Sequence, residues 1–80
     1  MISMTIPSLL HLCPKMRKLK LNDIRFEGPV PPSLGEVRRL EFIELHNNQL
    51  SGSVPAELAQ LSSLEYLDLT GNAELRISEP

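Results

Sequence analysis

The sequence predicts an α/β solenoid, and three observations carry that prediction. Apolar residues return every 24 positions, as Met16, Leu40 and Leu64, as Leu19, Ile43 and Leu67, and as Leu21, Leu45 and Leu69. The second observation is the turn chemistry, because Gly28 returns as Gly52 and Val30-Pro31 as Val54-Pro55. The third is alternation within each copy, apolar-polar-apolar in Leu19-Lys20-Leu21, Ile43-Glu44-Leu45 and Leu67-Asp68-Leu69. A period between about 20 and 50 residues marks a coil of stacked units, since one unit cannot bury its own apolar face and needs its neighbours to do so.

The period also reaches backward. Ile6, Pro7, Leu10 and Cys13 lie 24 positions before Val30, Pro31, Leu34 and Val37. One domain of 80 residues is thereby divided into a half repeat (1–15), two full repeats (16–39 and 40–63) and an incomplete one (64–80). A chain that starts and ends inside its pattern reads as a section of a longer array.

Each repeat position has a physical reading. The alternating triplets are half-buried strands, one per repeat, and neighbouring repeats make them parallel. A fully buried Leu or Ile in such a stack contributes about 1.5–3 kcal/mol. Asn48 and Asn72 stand where the chain leaves the strand, and an amide there pairs backbone groups that would otherwise be buried unpaired. Ile24 holds the same position in the first full repeat and has no amide to offer. That loss costs about 1–3 kcal/mol per buried group, unless the side chain adds core volume or the backbone takes another path. Gly28 and Gly52 are expected where a side chain would obstruct the backbone. Pro31 and Pro55 precede 32–39 and 56–63, whose apolar residues three apart suit a 3₁₀ turn or a brief helix on the convex side. After Asn72 the pattern fails, with Glu74, Arg76, Ser78 and Glu79 where Leu, Gly, Val and Pro are due. Leu75 and Ile77 are displaced by one, so a one-residue insertion restores part of the order. Residues 73–80 are expected to form a frayed or improvised end.

The best copy reads Leu40-x-x-Ile43-x-Leu45-x-x-Asn48-x-Leu50-x-Gly52-x-Val54-Pro55-x-x-Leu58-x-x-Leu61. It resembles the plant-type leucine-rich repeat, LxxLxLxxNxLxGxIPxxLxxL, and the resemblance covers nearly the whole chain. The resemblance implies short parallel β-strands on a concave face and 3₁₀ or short helical turns on a convex face. It also implies an asparagine ladder at Asn48 and Asn72. Its functional context is protein or peptide binding on the concave face in receptor-like, signalling, developmental and defence proteins.

Composition bounds what else the chain could do. It is 41% hydrophobic and only 4% aromatic, as an aliphatic stacked core requires. Phe26 falls at a core position. A core this small rarely supplies more than about 3–5 kcal/mol, and no polar cap is visible at either end, so marginal stability of the isolated piece is expected unless more repeats or a partner protect it. Uncapped ends make end-to-end self-association an expectation as well. A net charge of −2 argues against general nucleic-acid affinity. Lys15, Arg17, Lys18 and Lys20 form one basic cluster, either a solvated strand edge or a contact for phosphate or anionic lipid. Cys13 is the single cysteine, so no internal disulfide forms, and its register assigns it to the core as a small hydrophobe. Exported members of the resembling family carry paired cap cysteines. Residues 1–12 lack a positive charge before their apolar stretch and are broken by Pro7 and His11, so they read as repeat rather than leader. No run approaches a membrane span, and the compartment stays open.

The partner-binding candidates are the polar positions around each strand. Equivalent positions on neighbouring strands stack into columns about 4.8 Å apart. One column holds Lys18, Phe42 and Tyr66, the next Lys20, Glu44 and Asp68, the third Asn22, His46 and Thr70, and the last Asp23, Asn47 and Gly71. The first three columns are the candidate site. Phe42 and Tyr66 carry the most weight, because aromatic residues dominate interface hot spots; the competing reading is cross-strand packing that covers a small sheet. Glu44 beside Asp68 is read as surface charge or a contact for a basic peptide. An acid–base pair needs its two pKa values pushed apart, and an open wet face does not do that. His46 and His11 are isolated, and one His without a second ligand is a poor metal site. No catalytic, cofactor or metal constellation is present, so no enzyme and no cofactor is expected. A protein or peptide partner is the leading reading. The alternative is a structural spacer or truncated repeat with no activity of its own.

Overall fold

A computed structural model describes residues 4–76. The described residues wind through seven strands and three 3₁₀ turns. In order these are β1 (Met4–Thr5), η1 (Ser8–Leu12), β2 (Lys18–Lys20), β3 (Phe26–Gly28) and η2 (Pro32–Glu36). They continue as β4 (Phe42–Glu44), β5 (Gln49–Ser53), η3 (Ala56–Gln60), β6 (Tyr66–Asp68) and β7 (Glu74–Arg76).

Two parallel sheets run along the stack. The concave one has the order β2-β4-β6, and its register is the 24-residue repeat itself: Lys18, Phe42 and Tyr66 are partners, as are Leu19, Ile43 and Leu67, and Lys20, Glu44 and Asp68. The second sheet, β1-β3-β5-β7, was not expected from the sequence. Its cue is the alternation Leu50-Ser51-Gly52-Ser53-Val54, where glycine takes the place of an apolar side chain and weakens the period-two signal. Adjacent strands of this sheet are staggered by two residues relative to the repeat, Met4 pairing Phe26 and Glu27 pairing Gln49. Ser51 pairs Glu74 instead, one residue further on. That step is the one-residue insertion the displaced Leu75 implied. Residues 74–76 therefore form a strand, and the expected fraying does not begin at 73; Leu75 packs against the core. Ile77, Ser78 and Glu79 lie outside the described residues.

The core is a column of aliphatic side chains, widest at the centre. Leu34, Val37, Leu40, Ile43, Leu45 and Leu50 are fully buried, and Phe26 is buried among them. Each 3₁₀ turn begins after a proline in extended backbone (Pro7, Pro31, Pro55) and closes with a backbone N–H returning to the third residue of the turn. The turns are five residues each, shorter than the segments the apolar spacing outlined.

Three core expectations are corrected. Cys13 is exposed, although its counterparts Val37 and Leu61 are buried. Leu67 is 39% exposed, although its counterparts Leu19 and Ile43 are buried. Both belong to outermost coils, and a coil covered from one side only leaves part of its apolar face open. The third correction concerns the glycines. A Cβ on Gly52 would meet nothing within 4 Å, and one on Gly28 would make ordinary contact with Thr5 at 3.5 Å. What these positions demand is the left-handed backbone, φ +76° and +77°, which L side chains adopt at a cost of about 1–2 kcal/mol. Space is short instead at Gly35 in η2, where a Cβ would run into the backbone carbonyl of Glu57 in η3.

Candidate functional site: the outer face of the concave sheet

The side-chain alternation that buries Leu19, Ile43 and Leu45 turns their sequence neighbours outward. All nine candidates (Lys18, Lys20, Asn22, Phe42, Glu44, His46, Tyr66, Asp68 and Thr70) lie on β2, β4, β6 or the turns that follow them. The parallel ladder continues past the strands, with Leu21 and Asp23 donating to the carbonyls of Glu44 and His46, and Leu45 and Asn47 to those of Asp68 and Thr70. The third and fourth columns are therefore as regular as the first two.

The first column is a row of stacked rings and charge. The Phe42 and Tyr66 rings lie 6.3 Å apart at 42°, a tilted arrangement within the favourable range for aromatic pairs. Lys18 Nζ stands 5.5 Å from the Phe42 ring centre, close enough for a cation–π attraction. The Tyr66 hydroxyl donates to Asp68 Oδ2 at 3.2 Å.

In the second column Lys20 Nζ approaches Glu44 Oε2 at 4.0 Å. Asp68 is far more engaged. Its Oδ1 accepts from the Thr70 hydroxyl at 2.7 Å and from the Thr70 N–H at 3.1 Å. The Thr70 hydroxyl, then the Thr70 N–H, holds the Asp68 carboxyl below its ordinary value, because both donate to the ionised form. The same carboxylate raises the Tyr66 phenol, first through their hydrogen bond and then through charge. His46 Nδ1 is 3.3 Å from Asp68 Oδ2, but the approach lacks hydrogen-bond alignment and the buried nitrogen has no partner there.

The turn column was outlined in the sequence but not counted among the candidates. Asp23, Asn47 and Gly71 all take left-handed backbone, with φ of 59°, 57° and 75°. These are the residue types that tolerate that region, so the column is chosen for its bend. Asn22 Nδ2 donates to Asp23 Oδ2 at 2.8 Å, and this bond, then one from Asn47, lowers the Asp23 carboxyl. An ion pair at the rim also escaped the sequence reading: Arg17 Nε donates to Glu41 Oε2 at 2.9 Å across one repeat. Its signal was the 24-residue separation of opposite charges.

Beneath the face, the asparagine ladder holds the coils in register. Asn48 Oδ1 accepts from the N–H groups of Ile24, Arg25 and Phe26 at 3.0, 2.8 and 3.1 Å. Its Nδ2 donates to the carbonyls of Leu21 and Leu45, both at 2.9 Å. Asn72 repeats the pattern one coil later, donating to Leu45 and Leu69 and accepting from Leu50. Where Ile24 replaces the amide, the backbone takes another path, with Arg25 at φ 72°. Ile24 itself is 38% exposed and adds little to the core.

Among the described residues no group of three or more potential ligands gathers for a metal, and no helix is long and apolar enough to cross a membrane. What the face presents is an extended, preorganised set of rings and charges.

Comparison with known proteins agrees with this architecture. No curated protein sequence matches the chain. Among solved structures, a chain of the BIR3–SERK2 complex from Arabidopsis thaliana superposes with a TM-score of 0.84 at 32% sequence identity. The match covers 96% of this chain and 40% of that one, so this chain spans well under half of its structural relative. Residues 14–73 match the family described as Leucine rich repeat. Ladder, register and sequence match agree, and the chain belongs to the leucine-rich repeat family.

Proposed function

We propose that the concave sheet binds an extended protein or peptide segment, with Phe42 and Tyr66 as the anchor and the charged columns as the rim. The family is one of protein-interaction modules, and the structural relative is itself part of a complex between two proteins. The observation that carries the reading is the tilted Phe42–Tyr66 pair, part-exposed, with Lys18 beside it. Rings held in place by sheet register lose little freedom on binding, and low entropic cost is what makes such anchors effective. Lys18, Lys20 and Asn22 flank the anchor on one side. Glu44, His46, Asp68 and Thr70 flank it toward the other. Of these carboxylates, Glu44 is the freer to meet a basic side chain, because Asp68 is committed to Thr70 and Tyr66. A receptor-like or signalling role, including defence, and the plant-specific subclass follow from the same resemblance and belong to this proposal.

Selection of a phage-displayed random peptide library on the wild-type protein, with counter-selection on Phe42→Ala/Tyr66→Ala, tests the reading. Selected peptides are expected to lose at least tenfold in affinity for the double variant, about 1.4 kcal/mol. Peptides that bind both proteins equally would sink it. A second reading, a structural spacer, is favoured by the internal satisfaction of the face: the bonds of Asp68, the Lys20–Glu44 pair and the Arg17–Glu41 pair all tie one coil to itself or to the next. A library that yields no binder to the wild type would favour the spacer.

A further inference from the structure

We propose that the segment bound on the concave face carries an arginine two residues from an apolar side chain, the guanidinium seated on the Glu44 carboxylate and the apolar side chain on the Phe42–Tyr66 pair. The inference rests on the partner-binding reading and names the chemistry of that partner. β4 is the place to seek it, because β2 pairs with it on one side and β6 on the other. What lies beside Phe42 and Glu44 on the sheet is therefore set within the described residues. The two side chains are two positions apart on one side of the strand, about 6.7 Å from each other. An extended segment laid along β4 has the same repeat, so two of its residues, also two positions apart, meet Phe42 and Glu44 together.

The chain itself shows that both positions receive a cation. Lys18 Nζ stands 5.5 Å from the Phe42 ring centre, and Lys20 Nζ stands 4.0 Å from Glu44 Oε2. The second contact is loose. At that length the lysine pairs with Glu44 by charge alone and, among the described residues, leaves its carboxylate without a hydrogen-bond donor. The Lys20 side chain is mostly exposed, and an exposed pair of this kind contributes little. Asp68, the partner of Glu44 on β6, differs: Thr70 and Tyr66 already donate to it. Of the two neighbouring carboxylates, Glu44 is the one with acceptor capacity to offer.

A guanidinium suits this position better than an ammonium. It is planar, donates two parallel hydrogen bonds to a carboxylate and stacks on aromatic faces. Glu44 supplies the carboxylate, and Phe42 and Tyr66 supply the rings. The Tyr66 phenol is raised first by its hydrogen bond to Asp68 and last by the charge of Glu44, so both carboxylates lie within electrostatic reach of that ring. The groups that oppose a guanidinium are Lys20 and His46. Lys20 sits on a flexible stem and can turn to water, and His46 Nδ1 faces Asp68 at 3.3 Å. A partner carboxylate over β4 would instead meet Glu44 with Asp68 beside it. Discrimination against such a segment comes from that repulsion, and preference for arginine comes from the bidentate bond.

Peptides selected from the random library on the full 80-residue chain, and lost on Phe42→Ala/Tyr66→Ala, test the proposal. Their sequences are expected to share an arginine two positions from an apolar or aromatic residue. Affinity is expected to fall about tenfold when that arginine becomes alanine, the scale of a hydrogen bond to a charged group, and by a smaller factor when it becomes lysine. Glu44→Gln is expected to erase the preference for arginine over lysine, which a merely structural Glu44 would leave in place. Selected peptides without the arginine, peptides with an acidic residue in its place, or a preference that survives Glu44→Gln overturn the proposal and leave the partner-binding reading standing. Peptides that bind Phe42→Ala/Tyr66→Ala as well as wild type, or a library without binders, overturn both. Should Glu44→Gln lose the wild-type circular dichroism, Lys20→Ala decides: loss of the internal competitor is expected to tighten binding of the arginine peptides, and unchanged or weaker binding overturns the proposal.

Discussion

At the scale of single residues, two asparagines tie neighbouring coils together, and one aspartate fixes the turn of its own coil. Asn48 pairs three successive N–H groups of the preceding coil, whereas Asn72 pairs one. Leaving a buried donor unpaired costs about 1–3 kcal/mol. Only the Phe26 bond is fully buried and the other two are part-buried, so Asn48→Ala is expected to cost about 2–3 kcal/mol by that figure, and Asn72→Ala less. Urea denaturation of the two variants at one protein concentration measures the difference, and equal losses would contradict it. Asp68 makes a pH prediction. Its carboxyl is depressed in the folded chain by the Thr70 donors, so its contribution is present above the unfolded value of about 4. That contribution disappears as pH falls through the lower folded value. The urea midpoint should fall with acidification from about pH 4 downward, and Asp68→Asn should show a shallower fall. A parallel pH profile in the variant would rule this out. Asn48 and Asn72 were legible in the sequence because their spacing is the repeat, but the number of bonds each makes was not. That number depends on the left-handed turn at Arg25, which the sequence does not signal.

At the scale of elements, position in the stack outweighs residue type. Leu19, Ile43 and Leu67 are equivalent in the repeat and paired in the sheet, yet Ile43 is fully buried and Leu67 is 39% exposed. Ile43→Ala is expected to cost about 2–5 kcal/mol. Leu67→Ala should cost about 1 kcal/mol or less, because it removes little buried area. Thermal or urea unfolding of the pair checks the ratio, and comparable losses would mean that the end coil is better covered than its exposure shows. The elements themselves were partly readable. The β2, β4 and β6 strands followed from strict alternation, and the 3₁₀ turns from proline and three-residue spacing. The second sheet was hidden because Gly28 and Gly52 supply a backbone conformation where an apolar side chain would have kept the period.

At the scale of the whole molecule, the stack has two ends and a direction. Basic residues gather on the first concave strand and acidic ones on the last, so the sheet that carries the candidate binding face also carries a charge gradient along the coil axis. The sequence by itself determined the coil, its 24-residue register, the nine residues on its outer face and the columns they form, because a repeat stacked on itself turns spacing directly into neighbourhood. Only the tertiary structure decided which repeat positions are buried, since that depends on whether a coil has one neighbour or two. It also decided that Asp68 is engaged by Thr70 and Tyr66 of its own coil while Glu44 is left freer. Those bonds run along one strand and the turn after it, between residues two apart, and are set by side-chain reach and angle, of which the 24-residue spacing carries no record.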